Sequence, residues 1–184
     1  MATLKEKYDK EIAPALKKEL GRKSTMAVPR VQSISVSSGI GSMVVAGLKD
    51  YEFIEQNLAA ITGQKPALRK ARMAISNFKL RAGIPVGLVV TLRGKRMYDF
   101  LSRFLNIALP RVRDFRGISV KSLDDTGNYS VGLKDSTIFP EVKLDTLTKN
   151  FGLQINVKTT AKNKKEAYSL LKSLGFPFRD EITS

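Results

Sequence analysis

Between Gly63 and Arg116, thirteen lysines and arginines stand against two acids, Asp99 and Asp114, so this third of the chain carries +11 of its net charge of +15. Cations gathered this closely raise the local concentration of a polyanion and release its counterions on contact. The chemistry they suggest is attraction of nucleic-acid phosphates. Within the run, Arg69, Lys70, Arg72, Lys79 and Arg81 surround an aromatic residue, Phe78, in a stretch ended by Gly83 and Pro85. Phe78 either stacks on an unpaired base, a contact worth about 1–3 kcal/mol, or pins the segment against the core. A basic surface also serves solubility, but solubility does not require segregation. Met1–Thr62 and Gly117–Ser184 each sum to only +2, and self-repulsion penalises clustering.

Conventional catalytic equipment is scarce. The 184 residues include no cysteine and no histidine, which removes disulfides, thiol chemistry, zinc-finger ligand sets and imidazole acid–base catalysis. An enzyme would have to work through Asp99, Asp114 or the Asp124–Asp125 pair, none of which has metal or phosphate-loop spacing. The pair could hold magnesium, yet Thr126, Gly127 and Asn128 behind it read as a solvated turn. Gly39-Ile40-Gly41 is a fragment of a dinucleotide fingerprint, with Val44 where the third glycine belongs. The expectation is a protein that is not an enzyme and has no cofactor and no metal. Met1–Leu20 is laced with charge, and no apolar run approaches the roughly 20 residues of a membrane span. A cytosolic protein with no membrane partner is expected.

The positioning elements follow from periodicity. Tyr8, Ile12, Leu16 and Leu20 predict an amino-terminal helix ending near Gly21, with a kink or late start at Pro14. Val28–Val36 predicts a strand, and residues 38–41 a turn. Leu48, Tyr51, Ile54, Leu58 and Ile61 predict a helix stopped by Gly63. Residues 66–83 read as a strand running into an exposed arm. Val86–Arg93 alternates as a half-buried strand, and Arg96–Ala108 aligns Met97, Phe100, Leu101, Phe104, Leu105 and Ala108 on one helical face closed by Pro110. The long stretch 111–147 is irregular, with short strands Ile118–Lys121 and Tyr129–Leu133 joined by the Asp124–Asn128 turn. Leu153, Ile155, Val157 and Thr159 predict a last strand. Asn163 and Glu166 form a capping box for a helix burying Ala167, Leu170, Leu171 and Leu174. The length suits a single domain.

Alternating strands with helices between them imply an α+β fold: a mainly antiparallel sheet, helices packed on one face, the other face open for RNA. That open face would carry Ser33, Ser35, Ser37, Thr91, Arg93, Gln154, Asn156, Lys158 and Thr160, with no Asp or Glu among them. Small hydroxyls favour strands in any case. Hydroxyls and amides also pair with ribose 2′-hydroxyls and base edges, which favours RNA over DNA. A helical reader of the major groove would need a basic helix, and the most apolar helices here are not the basic ones.

The motifs Thr62-Gly63-Gln64-Lys65-Pro66, Ser76-Asn77-Phe78-Lys79-Leu80-Arg81, Val90-Thr91-Leu92-Arg93-Gly94, Leu109-Pro110-Arg111-Val112-Arg113-Asp114-Phe115-Arg116-Gly117, Ile138-Phe139-Pro140-Glu141 and Leu174-Gly175-Phe176-Pro177-Phe178 occur in one order. In them the whole chain resembles the bacterial large-subunit ribosomal protein five family, the 5S rRNA binders of the central protuberance. The resemblance implies a structural, ribosome-bound protein of the cytoplasm whose open sheet face grips 5S rRNA through Gln64, Phe78 and Thr91, with Lys65 and Arg93 beside them. Ser37 stands where the family typically has Asn, which leaves one hydroxyl in place of an amide and a lost or water-mediated contact. The resemblance further implies that the basic arm, roughly 71–85, reaches the peptidyl-site tRNA through Arg72, Lys79 and Arg81. It assigns the 111–141 stretch, with Arg111, Arg113 and Arg116, to a bridge with a small-subunit head protein. The other implied partners are 23S rRNA and neighbouring 5S-associated ribosomal proteins. An RNA chaperone working off the ribosome is the alternative.

Overall fold

Two prolines set the shape of two helices. The computed structural model describes residues 3–47, 51–142 and 150–179. In it, α1 (Leu4–Lys7) passes through a π-helical turn, Tyr8–Ile12, into α2 (Ala13–Glu19). Pro14 has no N–H and its ring would crowd the carbonyl one turn back, so the widened turn absorbs the misfit. The same device recurs later. α5 (Gly94–Arg103) runs into a π-helical turn, Phe104–Ala108, just before Pro110. Met97, Phe100, Leu101, Phe104 and Ala108 are buried along this rod as their spacing requires.

The remaining elements are β1 (Val31–Gly39), α3 (Gly41–Val45), α4 (Glu52–Thr62), β2 (Ala67–Lys70), β3 (Pro85–Leu92), β4 (Tyr129–Leu133), β5 (Leu153–Thr159) and α6 (Lys164–Ser173). The strands form one antiparallel five-stranded sheet in the order β2-β3-β1-β5-β4. Their apolar residues alternate as expected: Ile34 and Val36, Leu88, Val90 and Leu92, and Ile155 and Val157 are essentially inaccessible. Each such side chain contributes about 1.5–3 kcal/mol of transfer free energy.

The chain divides into two compact units, where its length and pattern predict one domain. One draws on Met1–Ile34, Leu92–Val131 and Asn156–Ser184, the other on Ser35–Thr91 and Gly132–Ile155. In the first, α1 packs on α5 and the Tyr8 hydroxyl donates to the Pro29 carbonyl at 3.0 Å. Burial pushes the Tyr8 phenol up to about 12, with the neighbouring Tyr98 adding to the rise. A second aromatic cluster places Tyr129 edge-on to Phe176 and Phe178, with centroids 5.8 and 5.7 Å away. In the other unit, α4 buries Ile54, Leu58 and Ile61, and Phe53 meets Phe151 edge to face.

Several expectations are corrected. The first strand begins at Val31, not Val28, because Ser24 caps a 3-10 turn, Thr25–Ala27, that occupies the approach. It continues through Ser38 to Gly39, so the expected 38–41 turn is strand followed by α3. Leu48 and residues 143–147 lie outside the described residues. The expected strand Ile118–Lys121 is absent: Val120–Ser122 is a 3-10 turn, and Ile118 makes one parallel bridge to Phe178. Its hydrogen bonds are taken by the carboxy-terminal segment, from Ile118 N to Pro177 O at 2.9 Å and from Arg179 N to Ile118 O at 3.0 Å. Asn163 holds the N-cap position of α6 without a side-chain cap bond. Glu166 instead accepts from Lys162 N at 3.1 Å and pairs with Arg22.

Candidate nucleic-acid interface

Gln64 owes its position to a helix end. α4 stops at Gly63, which adopts φ 68°, the left-handed conformation a glycine takes without a Cβ penalty. The buried Thr62 hydroxyl then ties the turn together, donating within 2.7 Å of Leu58 O and 3.0 Å of Gln64 O. Gln64 is half-buried there. Lys65 follows with its ammonium 3.5 Å from Glu55 on α4, its side chain 86% exposed. That ion pair was not expected, although Glu55 and Lys65 flank the helix end in sequence. At such exposure it is worth little, and the lysine is available to an anion.

The arm continues the sheet. β2 pairs antiparallel with β3, Ala67 opposite Val89 and Arg69 opposite Gly87, with an irregularity between Arg69 and Lys70. Beyond it the backbone stays paired: Ala71 N donates to Ile84 O at 2.8 Å and Gly83 N to Ala71 O at 3.0 Å, while Ile75 and Leu80 exchange bonds of 2.9 and 3.1 Å. A 3-10 turn, Ser76–Phe78, closes the hairpin, and Lys79 takes φ 51° to complete it. The arm is therefore an ordered hairpin. Arg72, Lys79 and Arg81 are exposed on it, and Phe78 is 70% exposed, so the ring does not pin the arm to the core.

The strand face is largely as expected from alternation. Ser35, Ser37, Thr91 and Asn156 are half-buried, and Gln154, Lys158, Thr160 and Arg93 exposed. Ser33 is the correction: at 9% exposure it is buried and offers no free surface. The Thr160 hydroxyl is partly engaged, accepting from Arg30 N at 3.0 Å. A depression of about 470 Å³ along α4 is lined by Glu52, Glu55, Gln56, Ala59 and Lys65. Its two carboxylates are the wrong sign for a polyanion.

Arg111, Arg113 and Arg116 lie on the loop after α5, Arg111 and Arg113 at its turn and Arg116 further on. Asp114 holds φ 52° within it, and at Gly117 (φ 92°) a Cβ would come within 3.0 Å of Arg179 N, so this loop is built around a glycine. The structure places Ser37, Gln64, Lys65, Phe78, Thr91, Arg72, Lys79 and Arg81 in one unit and Arg93, Arg111, Arg113 and Arg116 in the other. Asp124 is spent on its turn. It accepts from Asn128 N at 2.6 Å, Asn128 Nδ2 at 2.9 Å and Thr126 Oγ1 at 2.9 Å, and Asp125 pairs with Lys164 at 2.9 Å. Slight desolvation alone would raise the Asp124 carboxyl, but the bonds from Asn128 and Thr126 outweigh it and hold the group below its usual value.

Known proteins resemble this chain along nearly its whole length. The family model of ribosomal protein L5 matches residues 24–81, and the model of the same family's C-terminus matches residues 85–178. The large ribosomal subunit protein uL5 of Chloroflexus aggregans is 52% identical over 177 residues, covering 96% of this chain and 98% of the relative. Its counterparts in Dictyoglomus turgidum and Cupriavidus metallidurans are 50% and 49% identical, each covering 97% of this chain and 99% of the relative.

Proposed function

The chain belongs to the ribosomal protein L5 family, a structural and not a catalytic class, and from that premise we propose that its particular task is to hold 5S rRNA. It is a component of the large ribosomal subunit in the bacterial cytoplasm. The observation that carries the 5S reading is the presence, within one unit, of the polar strand positions Ser35, Ser37, Thr91 and Gln154, free of acids, and of a paired cationic hairpin that presents an exposed aromatic ring. Phosphate attraction supplies affinity that any RNA would share, stacking by Phe78 favours unpaired bases of any sequence, and Gln64 and Thr91 supply discrimination, with the contact at Ser37 lost or water-mediated. Lys65 and Arg93 add to the attraction. The same reading gives Arg72, Lys79 and Arg81 to the peptidyl-site tRNA backbone. Arg111, Arg113 and Arg116 go to a bridge with a small-subunit head protein, and 23S rRNA and neighbouring 5S-associated proteins complete the surroundings.

Competition binding tests the reading. 5S rRNA is expected to displace labelled 5S rRNA far better than tRNA or duplex DNA, with log K falling about 0.7–0.9 per neutralised phosphate as log salt rises. Equal competition by all three would reject it. Action as an RNA chaperone off the ribosome would leave most of the protein out of large-subunit fractions, whereas the present reading requires one copy per subunit.

A further inference from the structure

The loop that carries Arg111, Arg113 and Arg116 is fastened at both ends. At its start Val112 N donates to Leu109 O at 3.1 Å, closing the 3-10 turn Leu109–Arg111. At its end the chain leaving α6 lies against it. Phe178 forms a parallel bridge with Ile118, framed by the hydrogen bonds from Ile118 N to Pro177 O and from Arg179 N to Ile118 O. All of these residues belong to one compact unit.

Two features hold this short segment in place. The Phe178 ring sits among Tyr129, Tyr168 and Phe176, with centroids 5.7, 5.0 and 6.2 Å away, and aromatic pairs at such distances attract beyond their area burial. The Tyr129 hydroxyl donates to Ser119 O, which ties the ring cluster to the residue after Ile118. Gly117 lets the two backbones meet. At φ 92° it holds a conformation that residues with a Cβ resist, and a Cβ there would come within 3.0 Å of Arg179 N and 3.1 Å of Arg179 Cα.

Arg116 lies two residues before the bridge and Arg113 five. Guanidinium forks bind carboxylates in a fixed, bidentate geometry, so arginines that are to meet a protein partner need a defined backbone beneath them. We infer that Pro177–Arg179 is a clasp that fixes the arginine loop in its bridging geometry, with Gly117 and Phe178 as positioning residues. The inference rests on the reading of this loop as a bridge to the small-subunit head and adds to it the residues that determine the bridge's strength.

Two readouts test it on Gly117→Ala, Phe178→Ala and the variant carrying both. Amide hydrogen exchange of the free protein reads the clasp. Light-scattering titration of large subunits containing each variant with small subunits reads the bridge. Each single variant is expected to speed exchange at Ile118 and Arg179 by about three- to tenfold, the loss of one hydrogen bond, to leave exchange in α5 unchanged, and to weaken subunit association. The double variant should add little, because both changes open the same contact. Gly21→Ala is the control: Gly21 also has a left-handed φ of 61°, but a Cβ there would meet nothing within 4 Å, and neither readout should move. Unaltered exchange at Ile118 and Arg179 in Gly117→Ala overturns the clasp, as does exchange that rises equally throughout α5 or effects that add fully in the double variant. Should Phe178→Ala fail to fold, Gly117→Ala alone decides. Arg113→Ala combined with Arg116→Ala reads the bridge directly. Normal subunit association of that variant rejects the bridge reading and the inference with it, whereas weakened association there beside normal association of Gly117→Ala rejects the clasp alone.

Discussion

Phe78 shows how much a single side chain's surroundings decide. From its neighbours Asn77 and Lys79 the ring could equally stack on a base or anchor the arm, since both uses need an aromatic in a Gly/Pro-bounded stretch. Its 70% exposure on a closed turn removes the anchoring use. Phe78→Ala is therefore expected to weaken 5S rRNA binding by about 1–3 kcal/mol while shifting stability by less than about 0.5 kcal/mol, as checked by titration and thermal melting of the same preparation. The types and outward direction of the other strand-face residues were legible from alternation. Ser33 was not: a short side chain on a strand is buried or exposed according to what passes over it, which local sequence does not encode. Nor was the use of Glu166, whose partners Arg22 and Lys162 include one far away in the chain.

Elements were legible where the core imposes a period. Helices α4, α5 and α6 and strands β3, β4 and β5 fall close to where periodicity puts them, because each buries one face. The stretch after α5 was not, because Ile118 draws its hydrogen bonds from Pro177 and Arg179, some sixty residues on, and alternation of Ile118 with Val120 mimics a strand. Neither π-helical turn follows from the apolar period, yet each ends two residues before a proline, Pro14 and Pro110, and that spacing is a usable signal. The hairpin arm is the element with the clearest separable role. Its backbone pairing involves no arginine side chain, so Arg72→Glu combined with Arg81→Glu should leave folding and subunit incorporation normal while reducing retention of peptidyl-tRNA in a filter-binding assay. Failed assembly would assign those arginines to ribosomal RNA instead.

Taken as a whole, the molecule has buried phenols and no imidazole or thiol. Burial pushes the Tyr129 phenol, like that of Tyr8, up to about 12. The folded state thus favours the protonated phenol, and the stability this gives is complete below the unfolded value near 10 and lost as pH rises through the folded one. Asp124 has the opposite sense: its depressed value contributes stability at neutral pH that is lost as pH falls through the folded value. With no histidine or cysteine, thermal stability is expected to be flat between about pH 6 and 9 and to drop between about 10 and 12. Tyr129→Phe should shrink that alkaline drop while giving up the bond to Ser119 O, 3.1 Å long and worth about 0.5–1.5 kcal/mol.

The outermost strand β2 ends in Arg69 and Lys70, both exposed. An edge with unsatisfied amides and carbonyls invites a second copy to add on and seed aggregates, and lysine or arginine on such an edge discourages it through like-charge repulsion. Arg69 and Lys70 thus oppose edge-to-edge pairing of copies, so excess protein should stay dispersed at low salt and become prone to self-association as salt screens that repulsion.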